Sequence, residues 1–249
     1  MIDPIEQFHI NKIFTIGHIG NQEIAFTNSS AYMFGAVAII SLLMIAGVSR
    51  NQLVPGRFQS VAELSYEFVA NTIRSTAGKE GMRFFPFVFS IFMLVTVSNL
   101  VGIIPFSFTI SSHIIVTAAL ALLVFLTVVF YGFYKNGLKF LKIFVPSGVP
   151  IYILPLVVAI EIFSFFVRPV SHSVRLFANM LAGHITLYVF ASFVTMFGAF
   201  GALGWFGAVL PLGLTIALTA LEILIAFLQA YVFAILTCIY LNDAIHPGH

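Results

Sequence analysis

The chain has 249 residues, of which 60% are hydrophobic and 8% charged, with a mean hydropathy of +1.07. A soluble domain carries about a quarter charged residues, so a soluble globular fold is excluded and an integral membrane protein is expected. The formal net charge of +2 is no nucleic-acid signature, because the basic residues gather in two short loops without interleaved aromatics.

Met1 to Thr27 has neither a basic start leading directly into an apolar stretch nor a small-residue cleavage site. This argues against a removed signal peptide and leaves the first span to direct insertion. That span is Ser30 to Val48, nearly all apolar and able to cross about 30 Å of hydrocarbon at 1.5 Å per residue. From Gln59 to Arg74 the pattern changes. Val61, Leu64, Ser65, Phe68, Thr72 and Ile73 share one helical face, with Glu63, Glu67, Asn71 and Arg74 on the other, as in a helix lying on a membrane surface.

Phe84 to Ile104, ending at Pro105, and His113 to Tyr134 are the next apolar runs. The short uncharged turn PFSFTISS joins them, which predicts a transmembrane hairpin. Lys135, Lys139 and Lys142 follow on the side that carries Arg50, Arg57, Arg74, Lys79 and Arg83. The positive-inside rule therefore places both basic loops in the cytoplasm, the N-terminus outside and the C-terminus inside. PSGVP around Ser147 reads as a turn.

Val149 to Thr195 and Trp205 to Leu241 have no polar break. As continuous helices they would be about 70 Å and 55 Å long, so they are either steeply inclined against a partner outside the chain or bent at Pro155 and Pro169. Trp205, in FGAFGALGWFG, fits an interfacial anchor. Lone Cys238 excludes an internal disulfide and reads as a small packing residue. No linker, repeat or composition shift divides the chain. The expectation is one all-α membrane domain over 1–249: an N-terminal transmembrane helix, a surface amphipathic helix, a transmembrane hairpin and two long membrane helices.

The hundred residues from Ile143 to Asn242 hold four formal charges, Glu161, Arg168, Arg175 and Glu222, all within helix-length apolar sequence. A charge at the centre of a membrane helix costs roughly 2.5 to 3.5 kcal/mol on insertion scales and marks an ion path, a cavity or a partner. At about 100° per residue, with Arg175 as zero, Arg168 falls roughly at +20°, Glu161 and Asn179 at +40°, His172 at +60°, Ser164 at −20° and Ser171 at −40°. Glu222, Gln229, Thr215 and Thr219 form a second stripe on the last helix, and the two stripes can face one another or a shared cavity.

Arg175 has no carboxylate at i±3 or i±4, so its partner must come from another helix or another protein. Glu161 and Arg168, of opposite sign seven residues apart, can partly neutralise each other. His184 falls off the stripe, near 180° by the same spacing. It and Glu222 make a plausible proton relay, which Asn99, Ser98 and His113 can extend. A helix interface held by buried hydrogen bonds also explains Ser164, Asn179 and Gln229. A secondary transporter with a midplane site is a further alternative, although the internal repeats such proteins show are absent. The chain lacks G-x-x-x-x-G-K-[ST], H-E-x-x-H and G-x-S-x-G, so it has no residues for nucleotide hydrolysis, zinc proteolysis or serine acyl transfer.

PVSHSVRLFANMLAGH, residues 169 to 184, and EILIAFLQAYVFAILTCIYL, residues 222 to 241, resemble the subunit a family of F-type ATP synthases, and the similarity covers essentially the whole chain. The resemblance implies a non-catalytic, proton-translocating stator subunit whose two long helices lie steeply inclined against a rotating c-subunit ring. Arg175 matches the arginine facing the ring carboxylate, and Asn179 the polar residue one turn on. His184 and Glu222 match a titratable pair in the outer half-channel, in the reverse order to some members. Gln229 matches the glutamine near the arginine, and Glu161 an acidic residue two turns before Arg168. The implied partners are the c-ring, b-type peripheral stalk subunits and the lipid bilayer, with no cofactor, metal or nucleic acid. The implied location is the bacterial plasma (inner) membrane, with the mitochondrial inner membrane as the alternative.

Overall fold

The computed structural model describes residues 9–19, 22–49, 54–104, 107–145, 149–150 and 152–246. Arg50, the Pro105 boundary and most of the PSGVP turn around Ser147 lie outside the described residues. The chain begins with an antiparallel hairpin of β1 (Lys12–Ile19) and β2 (Gln22–Thr27), in which Phe14 pairs with Phe26 and Thr15 with Ala25. This hairpin was not expected from the sequence. Its strands are short and interrupted by register shifts, so the period-two signal of a strand is broken.

Among the described residues six α-helices follow, α1 (Asn28–Val48), α2 (Arg57–Gly81), α3 (Phe85–Ile103), α4 (Ile114–Asn136), α5 (Leu154–Gly198) and α6 (Ala202–Ile245), with 3-10 turns at Met82–Phe84, Ile110–Ser112 and Gly137–Phe144. The hairpin leads straight into α1. Thr27 accepts a bond from the Ser30 backbone N–H at 3.4 Å, as a helix-capping hydroxyl does, and the Asn28 side chain donates to the His9 carbonyl and accepts from Asn11 N–H. Five helical stretches, Asn28–Val48, Arg57–Ile103, Ile114–Phe144, Leu154–Gly198 and Gly204–Ile245, are long and apolar enough to cross a membrane. The all-α membrane expectation therefore holds, with the hairpin added.

Two local findings refine the sequence reading. On α2 the buried residues are Gln59, Ala62, Val69, Ala70, Thr72, Ile73 and Ala77, whereas Val61 and Leu64 are 48% and 66% exposed. The small residues mark the packed side: a Cβ on Gly47 of α1 would stand 2.6 Å from the Ala62 Cβ, so these helices approach too closely for large side chains. The second concerns the long helices, which run unbroken, one of the two alternatives left open by the sequence. Pro169 is inside α5 and Pro211 inside α6, while Pro155 sits in the first turn of α5, where a missing N–H costs nothing. At 45 and 44 residues they are each about 66 Å long. Between them Gly201, at φ +75°, takes the left-handed conformation that glycine adopts without steric cost.

The chain packs as two compact units. One comprises Met1–Ser41, Leu94–His113 and Leu176–Gln229, the other Leu42–Met93, Ile114–Arg175 and Ala230–His249. In the first unit Val95, Leu176, Met180 and Ala226 are buried together with polar Asn99, Thr109, His184 and Glu222. The core of the second is conventional, built on Val69, Ile73, Val88, Val124, Phe140, Phe233 and Leu241, and it holds the free Cys238.

Candidate functional site

In the first unit α5 turns Leu176 and Met180 inward, both 0% exposed. By helical spacing Asn179, Gly183 and His184 flank or lie within that same sector, so α6 packs along it and meets three of them. Asn179 Nδ2 donates to Gln229 Oε1 at 3.2 Å. His184 Nε2 stands 3.6 Å from Glu222 Oε1, with both side chains 5% exposed. A Cβ at Gly183 would come 2.9 Å from Glu222 Oε1, so the missing side chain is what admits the carboxylate. Of the two polar stripes, Asn179 and Gln229 meet here. His184 is buried while Arg175 and Ser171 are exposed, in keeping with its place off the stripe, and α6 reaches both Asn179 and His184 at the two edges of the packed sector.

The separation between His184 and Glu222 is informative. At 3.6 Å it exceeds a hydrogen bond, and neither Glu222 oxygen has a hydrogen-bond partner among the described residues. A single bridging water would hold the two groups about 4.5 Å apart, given two bonds of about 2.8 Å. The pair therefore stands closer than a water bridge and farther than direct contact, and a small rotation of either side chain closes it.

The chain between α3 and α4 supplies the rest of the cluster. Thr109 Oγ1 lies 3.0 Å from His184 Nε2. Ser111 Oγ donates to Asn99 Oδ1 at 2.6 Å, and Asn99 Nδ2 donates to the Ala226 carbonyl at 3.4 Å. Asn99 joins the cluster as expected, but Thr109 and Ser111 were missed. The available signal was the density of hydroxyls in a turn that carries no charge, PFSFTISS.

In the second unit Arg168 Nη1 donates to Asp243 Oδ2 at 2.9 Å, and its guanidinium lies 5.0 Å from the centre of the Tyr240 ring and 5.7 Å from that of Phe165. The expected neutralisation of Arg168 by Glu161 is replaced by this pairing. Asp243 sits just beyond the apolar run, where the tail of α6 can carry a charge. Glu161 is half-buried and has no ion pair among the described residues. It is 14 residues from Arg175, about 21 Å along a helix. His172 is buried against Phe233, ring centres 3.8 Å apart, and does not share the exposure of the stripe.

Arg175 itself is exposed, as are its neighbours Ser171 and Val174, and it has no ion pair or hydrogen bond among the described residues. Ala178, Asn179 and Ala182 on the following turns are exposed too. A lone guanidinium thus stands on the outer face of a membrane-length helix among small side chains. Among the described residues no group of three or more His, Cys, Asp or Glu could hold a metal ion.

The family described as ATP synthase A chain matches residues 30–242. The chain belongs to this family. It is 78% identical over 247 residues to an ATP synthase subunit a of Rhodopseudomonas palustris, covering 99% of each chain. It is 80% identical over 249 residues to that of Nitrobacter winogradskyi and 78% identical to that of Nitrobacter hamburgensis, covering 100% of each chain. With its five membrane-length helices and bacterial relatives, this ATP synthase A chain member is a multi-pass bacterial membrane protein. Family membership turns the polar cluster and the exposed arginine from curiosities of packing into candidates for ion movement.

Proposed function

We propose that the chain is the proton-translocating stator subunit of the ATP synthase membrane sector, forming two offset half-channels against a c-subunit ring. Arg175 opposes the proton-carrying carboxylate of the ring, assisted by Asn179 and Gln229, and His184 with Glu222 serves proton uptake from outside. Glu161 has a supporting place on the same helix. The partners are the ring, b-type stalk subunits and lipid, with the N-terminus outside and the C-terminus cytoplasmic. The chain itself makes and breaks no covalent bond.

The observation that carries this reading is the exposed Arg175, which has no ion pair or hydrogen bond among the described residues. An uncompensated cation on a membrane helix is expensive, and what removes the cost is an anion brought by another subunit. A carboxylate within about 4 to 6 Å of a cation is favoured in its charged form, and it must be neutral to travel through lipid. Passage past Arg175 therefore requires loss and regain of a proton, which couples rotation to proton flow. Each proton crossing releases about 2.3 kcal/mol per 100 mV of membrane potential. Lysine is a poor replacement, because its charge is readily lost on burial while arginine stays protonated.

The test is Arg175→Ala in the complete synthase. Assembly, read by co-purification with the ring, stays normal while proton-coupled ATP synthesis is abolished. Coupled synthesis at the wild-type rate in that variant overturns the proposal.

A further inference from the structure

Resting on the function proposed above, we infer that Thr109 is a positioning residue for proton uptake, holding the His184 ring at the distance from Glu222 at which a proton can pass. The hydroxyl is 3.0 Å from His184 Nε2, the same nitrogen that stands 3.6 Å from Glu222 Oε1. Thr109 and His184 are 2% and 4% exposed, so water does not compete for this bond. Nε2 thus has one fixed oxygen at bonding distance and one titratable oxygen just beyond it. Imidazole is free to turn about its own bonds, and a fixed neighbour on the reacting nitrogen restricts that turning.

Thr109 can do this because it is itself held. Its hydroxyl is 3.4 Å from the Gly102 carbonyl, and a Cβ on Gly102 would come 2.9 Å from Thr109 Cγ2 and 3.2 Å from Oγ1, so α3 presses directly on the side chain. Ser107, two residues earlier, donates its hydroxyl toward the Val101 and Ile104 carbonyls at 2.6 and 2.7 Å. It thereby ties the connection to the exposed carbonyls at the end of α3. Two residues later, Ser111 bonds Asn99, and Asn99 reaches α6. A connection with no charge of its own is clamped at three successive hydroxyls, of which the middle one meets the histidine. On this connection the titratable group is His113, whose ring stacks on Phe108 at 4.8 Å. From α6 the charged group facing His184 is Glu222.

Thr109 has φ −89° and ψ 105°, extended backbone that valine adopts readily, so Thr109→Val removes the hydroxyl with little change of shape. The experiment measures passive proton uptake through the assembled, membrane-reconstituted synthase as a function of external pH, for wild type, Thr109→Val, Thr109→Ser and His184→Ala. Thr109→Val slows uptake about tenfold and moves its pH profile by roughly one unit, the change expected from losing one hydrogen bond of ordinary strength. Thr109→Ser restores both, and Gly102→Ala, which displaces Thr109 without removing its hydroxyl, moves the profile as well. If Thr109→Val and Gly102→Ala overlay wild type while His184→Ala slows uptake, the positioning role is overturned. If none of the variants, His184→Ala included, alters uptake, the half-channel assignment falls with it.

Discussion

Gly183→Ala tests the geometry of the His184–Glu222 pair without touching either member. The added Cβ would stand 2.9 Å from Glu222 Oε1, 3.4 Å from its Cδ and 3.7 Å from its Cγ. Ordinary contact begins at 3.4 Å, so the oxygen nearest His184 must withdraw by about 0.5 Å. The carboxylate is the far end of a flexible side chain, and the retreat costs little in stability. Helix propensity works in the opposite direction, since alanine is favoured over glycine by roughly 0.8 to 1.0 kcal/mol within a helix. Folding and assembly are therefore preserved. Proton transfer is less forgiving: a 1 Å misplacement costs on the order of 100-fold, so half that displacement costs roughly tenfold. The assay is proton uptake through reconstituted synthase, normalised to the amount of assembled complex. A Gly183→Ala complex that assembles fully and takes up protons within about twofold of wild type would refute the argument that this spacing controls the rate.

Two further outcomes follow from pairs outside the cluster. Arg168→Ala, which loses both the Asp243 pair and the Tyr240 contact, lowers the thermal stability of the purified complex by an amount equivalent to about 1 to 2 kcal/mol; Asp243→Asn costs about 1 kcal/mol, whereas Glu161→Gln leaves the midpoint unchanged, as thermal melts of the three variants will check. In the N-terminal hairpin, the Lys12 ammonium, bonded to Glu23 at 2.5 Å, holds the Glu23 carboxyl below its usual value of 4.5, first through the hydrogen bond and then through charge. A depressed carboxyl stabilises the fold above its unfolded value and ceases to do so as pH falls through the folded value. Protection of the amides of β1 and β2 against exchange, corrected for the intrinsic pH dependence, therefore falls only as pH drops below the usual carboxyl value of 4.5, and Lys12→Met removes that dependence.

Much of this was legible in the sequence, and for identifiable reasons. Spans could be read because a bilayer forces long apolar runs, and the stripe on α5 could be read because a charge in such a run is conspicuous. The facing of Asn179 with Gln229 followed from that stripe. Other features depend on which sector of a helix is packed, and periodicity does not report it when both sides are apolar. Leu176 and Met180 are buried while Val174 and Ile185 are exposed, yet all four are the same kind of residue. Which of the apolar residues of α5 meet α6, and that the packed side of α2 is the one with Ala62, Ala70 and Ala77, could not be read for that reason. Thr109 was invisible for another reason: its contact spans 75 positions, and a threonine in a turn carries no periodic signal. The partner of Arg168 is hidden from periodicity because Asp243 lies 75 positions away on another helix, whereas Glu161 is the nearest opposite charge on its own.

The polar groups of the membrane segments sort by whether the chain satisfies them itself. Asn99, Thr109, Asn179 and Gln229 all bond internally, and Arg168 has Asp243. Buried ring nitrogens of His113 and His172 lack partners among the described residues, a tolerable state for a neutral imidazole. Three groups of formal charge remain without a hydrogen bond among the described residues: the half-buried Glu161, the exposed Arg175 guanidinium and the buried Glu222 carboxylate. Arg175 and Glu222 are the extremes of exposure. Their situations differ in a way that matches different tasks. Glu222 is enclosed, and His184 stands 3.6 Å away, just beyond bonding distance, which under the proposed function suits the passage of a proton. Arg175 is open to the outside of its helix, so its counter-charge can be as large as a side chain on a neighbouring subunit. A chain built only for packing would have used Asp243-like partners at both positions. Under the proposed function, one charge sealed and the other exposed would make the first depend on protonation and the second on a moving partner, the two events that proton-driven rotation must join.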